Sequence, residues 1–372
     1  MSTFNGEIAQ IPGISVDHFE CCQQNCYFLS HCHTDHMKGL SELQTDAPVY
    51  MTTISALFVN KKYPDLKINI KTLEYDLPVV VEDKGVVKSF VVTALSAGHC
   101  AGSCMFLFQL DNCNILYTGD FRISLKNRET LKLIEDIKKH SNFVLYIDST
   151  FFNQSYPEFP SQSESCVKIT NIIETFLSRS KIIQVHIHTP ARYGYERLII
   201  EIGLKLKMKT LIHEAEIFEQ YLRIPQIASS VTMDHQETRI SLKPKFVSSL
   251  FQENTKGTDN VLNLHLSAMF WSNWDGGSFV RKISENSFRV CYATHNSFNE
   301  IKDFVLSVKP KEVYLNVMPN SFEERNIMLK QLDMIKSQYL QDKKKQQTLD
   351  RPIFSFKRLR RMHTTEASEE ET

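Results

Sequence analysis

A short segment near the N-terminus concentrates side chains that bind metal ions. Within six residues it carries His31, His33, Asp35 and His36, directly after the apolar stretch Cys26 to Ser30, which is predicted to be a β-strand. On a loop at the end of a strand these side chains can converge on one point, whereas a regular helix or strand would spread them apart. Imidazole and carboxylate together suit zinc or a similar divalent cation. The pattern predicts a metal site and favours a layered α/β fold, in which chemistry at the carboxyl ends of strands is typical.

Length and composition are those of an ordinary globular protein with about two domains. The chain has 372 residues, and a domain usually comprises ~100 to 200. Hydrophobic residues make up 42% and charged residues 23%, which excludes an intrinsically disordered chain. No apolar run approaches the ~18 residues of a membrane-spanning helix, and the N-terminus lacks the order of a signal peptide. We expect an intracellular protein with no membrane partner.

Charge and cysteine content limit the partners and the redox state. Lysine and arginine balance aspartate and glutamate at 43 each, so the formal charge is +0. Any binding to nucleic acid must therefore rely on a local basic surface. The nine cysteines form no paired framework, and their odd number leaves one over in any complete disulfide scheme, so we expect reduced thiols.

The order of predicted elements indicates one α/β unit inserted into another. Residues 1–154 resemble short strands joined by tight turns, with a helix beginning near Met37 and strands at Val86 to Leu95, Cys104 to Leu110, Ile115 to Thr118 and Val144 to Asp148. Residues 155–285 alternate between helix and strand, as in a second α/β unit with parallel strands. Residues 286–335 return to strand, helix and strand, and we expect them to complete the first unit.

The C-terminal segment, residues 336–372, is polar and is predicted to be a disordered tail. Basic clusters at Lys343 to Lys345 and at Lys357 to Arg361 precede the acidic end Glu366 to Glu371. The two basic clusters match either a bipartite nuclear import signal or a solvated run of charge, and the sequence does not decide between them.

Two later residues extend the metal-binding pattern. His99 and Asp120 each follow a predicted strand and stand next to a glycine, Gly98 or Gly119, which lets the backbone turn the side chain toward a shared centre. Either residue alone would more often be structural. Their order after the first cluster makes both of them candidate ligands.

This succession of motifs resembles the metallo-β-lactamase nucleases that carry a β-CASP insertion, and within them the Artemis branch of the Artemis and Apollo group of DNA nucleases. Further matches are Ile14 to Asp17, Phe28 to His31, Met105 to Phe108, Tyr193 to Glu196 and Glu300 to Phe304. The resemblance covers nearly the whole chain to about residue 335. It implies a metallo-β-lactamase αββα sandwich with an inserted β-CASP α/β domain.

The resemblance also implies roles for the candidate ligands. His31, His33, His99 and Asp120 would hold a first Zn²⁺, and Asp35, His36 and the bridging Asp120 would hold a second divalent ion, Zn²⁺ or Mg²⁺. Metal-activated hydroxide would be the nucleophile that hydrolyses a phosphodiester. Asp17 would orient the ligands through hydrogen bonds without binding metal itself.

Three further positions match motifs that the β-CASP nucleases add. Asp148 and His295 would form a catalytic pair, in which the carboxylate holds the imidazole as a general acid for the departing oxygen, and Asp35 would also be essential for catalysis. Val317 stands where the RNA-processing branch has a histidine, and this favours DNA. Asp148 or His295 taken alone would more often be structural, so the roles of this pair rest on the match.

The match weakens in the predicted insertion. Relatives in the Artemis branch can carry a structural zinc there, but residues 214 to 290 contain no cysteine and the second histidine falls near Ser241, so we predict that this site is absent. Pro190 replaces a lysine expected to grip phosphate. Arg192, with Tyr193, is the candidate substitute, and the alternative is a solvated arginine at a helix start.

The leading hypothesis is a nuclear, metal-dependent DNA endonuclease and 5′ exonuclease acting on DNA with single-stranded, hairpin or junction character. It would serve end processing at DNA double-strand breaks, in non-homologous end joining, or cross-link repair, with a DNA-repair kinase and end-joining factors as partners by resemblance. The alternatives are an RNA-processing β-CASP nuclease and a non-catalytic scaffold. Matched DNA and RNA substrates distinguish the first alternative, and retention of function without metal distinguishes the second.

Overall fold

The structure is a computed structural model and describes residues 3–20, 23–82, 89–138, 142–245 and 260–349. Its first sheet consists of four parallel strands, β1 (Ile14–Val16), β2 (Cys26–Leu29), β3 (Pro48–Thr52) and β4 (Asn69–Leu73). A mixed six-stranded sheet contains β5 (Pro78–Glu82), β6 (Ser89–Ser96), β7 (Cys104–Gln109), β8 (Asn114–Tyr117), β9 (Phe143–Ile147) and β17 (Glu312–Leu315). Its spatial order is β17-β9-β8-β7-β6-β5.

The third sheet has seven strands, β10 (Gln184–Thr189), β11 (Thr210–Leu211), β12 (Val231–Thr232), β13 (Ile240–Pro244), β14 (Val261–Leu266), β15 (Val280–Ser284) and β16 (Ser287–Val290). They lie in the order β12-β11-β13-β10-β14-β16-β15, all parallel except the edge strand β15. The described residues also form helices α1 (Thr53–Lys62), α2 (Arg128–Lys138), α3 (Gln162–Leu177), α4 (Glu196–Leu206), α5 (Ala215–Leu222), α6 (Pro225–Ala228), α7 (Phe298–Val308) and α8 (Phe322–Leu349).

The alternation of side chains along β2 explains why the first two sheets stack. Phe28 points into the space between them, where its ring lies 5.0 Å from that of Phe108 and 5.4 Å from that of Phe106 on β7. Tyr27 and Leu29 point to the other side and pack with α1. Because both faces of β2 are buried, the strand is apolar throughout instead of alternating with polar residues.

The far side of the six-stranded sheet is covered by α2, α7 and α8, which complete the second helical layer. The layers therefore run helix, sheet, sheet, helix, and the expected αββα sandwich is confirmed. The seven-stranded sheet packs one face against α3 and α4, with Val185 and Ile187 of β10 among the buried contacts. The rings of Phe58 on α1 and Tyr193 before α4 stack 5.2 Å apart, so the two units share an apolar contact.

Three expectations about element boundaries are wrong. The helix expected from Met37 is only a single 3₁₀ turn, Leu40–Glu42, because Gly39 before it is left-handed, at φ 81°, and packs against the backbone of Glu20. The strand after residue 286 pairs with β14 in the seven-stranded sheet and not with the first unit. We therefore propose that the insertion ends after Val290, beyond the predicted boundary at 285.

The predicted tail also begins too early, because α8 continues through residue 336 to Leu349 and buries Tyr339. The second basic cluster, Lys357 to Arg361, and the acidic end, Glu366 to Glu371, lie outside the described residues, as do Cys21, Cys22 and the start of the strand predicted from Val86. Within the described part of the chain, no helix combines the length and the apolar character needed to cross a membrane.

Candidate metal centre

Three imidazole nitrogens and one carboxylate oxygen face the same small space. His33 Nδ1 lies 3.1 Å from His31 Nε2 and 2.9 Å from His99 Nε2. Asp120 Oδ2 lies 3.5 Å from the same two Nε2 atoms. Four ligands held ~2.1 Å from a tetrahedral zinc would lie about 3.4 Å from one another, so the spacing of these atoms fits a metal ion.

Hydrogen bonds on the far side of two rings fix the nitrogen that faces the centre. His31 Nδ1 donates to Ser30 Oγ over 2.9 Å, and that hydroxyl in turn donates to Asp17. His99 Nδ1 donates to the backbone oxygen of Thr294 over 2.8 Å. Each bond places the ring proton on Nδ1 and leaves the lone pair on Nε2, which is the arrangement a metal ligand needs.

Asp120 joins this group to a second one. Its Oδ1 lies 3.3 Å from His36 Nε2, while its Oδ2 faces His31 and His99. His36 Nε2 is buried without a hydrogen-bond partner among the described residues, and its Nδ1 donates to Asp17 Oδ2 over 2.8 Å. A buried nitrogen that is left without a partner and aimed at a carboxylate suits a second cation at this point.

Asp35 is the one predicted ligand that does not join these groups. It lines the same cavity as His33 and Asp120, but it is absent from the clusters of described residues whose ligand atoms all lie within 4.8 Å of one another. The structure therefore brings together five of the six predicted metal ligands and places the sixth at the wall of the same cavity.

Asp17 is buried behind the ligands and has a saturated carboxylate. It accepts hydrogen bonds from the backbone nitrogen and the hydroxyl of Ser30, both over 2.6 Å, and from the hydroxyl of Tyr117 over 2.8 Å, in addition to the bond from His36. These contacts lie on the side of the rings away from Asp120. The geometry suits the expected orienting role.

The predicted pair of Asp148 and His295 is formed and reaches the same centre. His295 Nδ1 donates to Asp148 Oδ2 over 2.8 Å, and His295 Nε2 lies 3.9 Å from Asp120 Oδ2. Asp148 is buried and also accepts hydrogen bonds from the backbone nitrogen and the hydroxyl of Thr150. The imidazole is therefore held with its second nitrogen turned toward the ligand group.

Burial and charge divide the site into neutral and charged members. Burial lowers the pKa of His33 to about 4 and holds the pKa of His31 and His99 well below the usual range. Burial acts the same way on His36, but Asp120 and Asp17 outweigh it and raise its pKa well above 6.5. Three histidines are thus ready to bind a cation as neutral ligands, while His36 keeps a proton until a cation replaces it.

The centre opens into a cavity of about 710 Å³ between the two units. Asp35, Asp120 and His295 line it together with Arg192 and Tyr193, whose ring centre lies 6.1 Å from that of His33. The Arg192 guanidinium lies 3.1 Å from the Glu214 carboxylate. The hydroxyl of Tyr193 donates to Gln220 over 2.8 Å, so this hydroxyl is used within the protein while its ring borders the cavity.

Sequence reasoning missed Arg122, which supports the His295 loop. Its guanidinium donates to the backbone oxygen of His295 over 2.9 Å and to the carboxylate of Glu300 over 3.1 Å, and its side chain is only 6% exposed. Glu300 also closes the capping box at Ser297 that starts α7. The sequence offered one clue, since Arg122 stands between the apolar residues Phe121 and Ile123 directly after a predicted ligand. An arginine in such a place is rarely buried unless it is paired.

Val317 and His213 can now be placed. Val317 lines the cavity, and its backbone nitrogen donates a hydrogen bond to Ser149 Oγ over 2.9 Å. In the insertion, the His213 ring shares a hydrogen bond of 2.6 Å with the hydroxyl of Ser241, the residue at which the expected second zinc-binding histidine falls.

Fold and site together define a protein of the metallo-β-lactamase class with a metal-binding centre. A family model described as DNA repair metallo-beta-lactamase matches residues 225–321. Protein artemis of Pongo abelii is 31% identical over 100% of this chain and 56% of its own length, and human protein artemis is 32% identical over 86% and 50%. The chain is similar to the artemis proteins over nearly its whole length, and the match to the DNA repair metallo-beta-lactamase model lies within that similarity.

Two weaker matches share less with this chain. The human DNA cross-link repair 1A protein is 29% identical over 86% of this chain and 31% of its own length. A crystal structure of a protein of unknown function from Enterococcus faecalis V583 superposes with a TM-score of 0.51 at 15% identity, over 77% of this chain and 74% of that one, and shares the fold alone. The chain spans about half the length of the artemis proteins it matches.

Proposed function

We propose that this chain is a metal-dependent DNA nuclease that hydrolyses phosphodiesters as an endonuclease and 5′ exonuclease. The observation that carries the proposal is the meeting of two groups at one carboxylate. Asp120 Oδ2 lies 3.5 Å from the Nε2 atoms of His31 and His99, and 3.9 Å from Nε2 of His295, whose other nitrogen is bound by Asp148. A metal site alone would suit many hydrolases, but the added acid pair suits a reaction that must protonate a departing oxygen.

The residues present fit a first Zn²⁺ that His31, His33, His99 and Asp120 would hold. A second Zn²⁺ or Mg²⁺ would be held by His36 and Asp120, with Asp35, which lines the same cavity, as the third proposed ligand. A divalent ion there lowers the pKa of bound water toward ~7 and neutralises charge on a phosphate.

The protein side chains supply orientation and the proton. Asp148 fixes the proton on His295 Nδ1 and, together with Asp120, raises the pKa of His295 against the effect of burial. His295 therefore holds its proton on Nε2 more tightly than a buried imidazole without these carboxylates would, and it would donate this proton to the departing oxygen. Asp17 holds His36 Nδ1 through a hydrogen bond and so keeps Nε2 of the same ring directed at Asp120.

DNA is the proposed substrate, with single-stranded, hairpin or junction character at the cleaved position. The cavity between the two units has room for a phosphodiester, and Arg192, which is paired with Glu214, lies at its wall. Val317 at the cavity supports DNA over RNA by resemblance. The names of the relatives support a role in DNA repair, and we propose end joining or cross-link repair in the nucleus, with a DNA-repair kinase and end-joining factors as partners.

The test is a gel assay of the purified chain on 5′-labelled single-stranded and hairpin DNA beside matched RNA, with and without chelator. Asp35→Asn is the control, because Asp35 lines the cavity and asparagine has nearly the same size and shape, so its replacement should leave the fold intact. We expect chelator-sensitive cleavage of DNA that the variant loses. Preferential cleavage of RNA would assign the chain to RNA processing, and equal cleavage by the variant would overturn the assigned site.

A further inference from the structure

The loop between β14 and β15 carries an exposed aromatic ring beside two arginines. Met269 is 64% exposed and Phe270 is 36% exposed, although both are large apolar residues. The guanidinium carbon of Arg289 lies 4.1 Å from the centre of the Phe270 ring, and that of Arg281 lies 5.6 Å from it. We call these four residues the aromatic–arginine patch.

The strand pairing places both arginines on the same face of the sheet. Arg281 of β15 and Arg289 of β16 are direct cross-strand partners in the antiparallel pair, an arrangement that is unfavourable for two like charges. Within the described residues, neither guanidinium has a carboxylate as a salt-bridge partner. Two positive charges held side by side without neutralisation favour an anionic ligand at this point.

The patch begins where the cavity beside the candidate metal centre ends. Ser267, Ala268 and Met269 line that cavity, and Phe270 is the next residue. On the other side, Arg289 pairs in register with His265 of β14, whose ring stacks 4.6 Å from that of His188 on β10. A flat row of ring and guanidinium groups therefore leads from the rim of the cavity across the face of the insertion.

We propose that the aromatic–arginine patch binds the single-stranded segment of a polynucleotide as it leaves the active-site cavity. Bases stack on flat aromatic or guanidinium surfaces regardless of sequence, and arginines pair with the phosphates between them. An acidic peptide would use the two charges but would have no use for the exposed ring. This inference rests on the proposed function, since it extends the path of the substrate beyond the cleaved bond.

Binding is tested on the whole chain in chelator, where cleavage does not interfere, by fluorescence anisotropy with a labelled 20-nucleotide and a labelled 4-nucleotide oligo-dT. For the 20-mer we expect Phe270→Ala, and equally Phe270→Leu, to weaken binding roughly tenfold, the loss of one base stack. Arg281→Ala with Arg289→Ala should lower the slope of log affinity against log salt by about 1.4, at ~0.7 per phosphate contact. The 4-mer, which the cavity alone accommodates, should bind each variant as it binds the wild type.

Matched controls remove the same groups elsewhere. Phe322→Ala removes a phenylalanine that is 79% exposed at the start of α8 and has no arginine stacked on it among the described residues. Arg223→Ala with Lys330→Ala removes two exposed charges, one directly after α5 and one on α8. If the control variants lose as much affinity for the 20-mer as the patch variants do, binding depends on the overall positive charge of the surface and not on the patch, and the proposal is overturned.

The outcomes separate this inference from the proposed function. If the wild type cleaves DNA but the patch variants bind the 20-mer with unchanged affinity and salt slope, the patch is not a substrate surface although the nuclease assignment stands. If the wild type neither cleaves nor binds DNA, both are overturned. Weakened binding of the 20-mer alone, with wild-type cleavage of saturating short substrate, supports both.

Discussion

Replacing Asp17 with asparagine should weaken metal binding without removing a ligand. The change turns a carboxylate that accepts four hydrogen bonds into an amide with one acceptor oxygen. Three of the four donors, from Ser30 Oγ, His36 and Tyr117, share Oδ2, so any orientation of the amide sets its NH₂ group against at least one donor. Asparagine tolerates the left-handed backbone of Asp17, at φ 56°, so strain does not confuse the result.

The size of the effect follows from the two functions of the carboxylate. Residues that orient a ligand by a hydrogen bond usually change metal affinity by about 10- to 100-fold, which corresponds to about 1.4 to 2.8 kcal/mol. A buried donor left without an acceptor also costs about 1 to 3 kcal/mol of the free energy of unfolding. Both losses should be visible in Asp17→Asn.

Zinc affinity is measured by competition with a chromophoric chelator, and stability by urea unfolding in excess chelator. Asp111→Asn, an exposed change in the turn between β7 and β8, is the control and should alter neither. Unchanged zinc affinity with lost stability would show that Asp17 serves only the fold. A loss far beyond 100-fold would show that Asp17 is itself a ligand, as its place in a cluster with His31 and His36 also allows.

Three further outcomes follow from the same contacts. His295→Ala should lower DNA cleavage by about 10²- to 10⁴-fold while zinc content stays constant, and a phosphodiester with a p-nitrophenolate leaving group, which needs no proton, should lose much less. Arg122→Met leaves the His295 carbonyl and the Glu300 carboxylate without their shared donor and should lower the free energy of unfolding, measured in urea, by about 3 kcal/mol. The loss should be smaller than for a fully buried ion pair, because the Glu300 side chain is a third exposed. Because the pKa of His36 is raised, binding of the second ion should release a proton near pH 7, and the affinity for this ion should weaken as pH falls. Binding of the first ion, to histidines that are already neutral, should release no proton from them. Calorimetry in two buffers of different ionisation enthalpy counts the protons released.

The metal centre was predictable because its ligands belong to local patterns. His31 to His36 follow β2 and Asp120 follows β8, and the apolar runs of both strands are visible in the sequence. The two strands belong to different sheets, and the stacking of these sheets brings the ligands together. The pairing of Asp148 with His295, 147 positions apart, could be proposed by resemblance alone, since no local pattern carries that distance.

What the sequence did not reveal depends on contacts between distant segments. The strand Ser287–Val290 is short, and only its pairing with β14 decides to which sheet it belongs. The hydrogen bond from His99 to Thr294 and the bonds of Arg122 to the His295 loop join elements that are far apart in the chain. The helix predicted from Met37 does not form because Gly39 adopts a left-handed conformation. The close approach of the Glu20 backbone, which helix propensity does not reflect, sets that conformation.

Anomalous diffraction at the zinc edge, on crystals of protein grown with zinc, tests the account most directly. We predict a peak between His31 Nε2, His33 Nδ1 and His99 Nε2 and beside Asp120, lost in crystals of His33→Ala. A protein that cleaves DNA but shows no peak at this point, or shows one only elsewhere, would contradict the assignment of the metal centre.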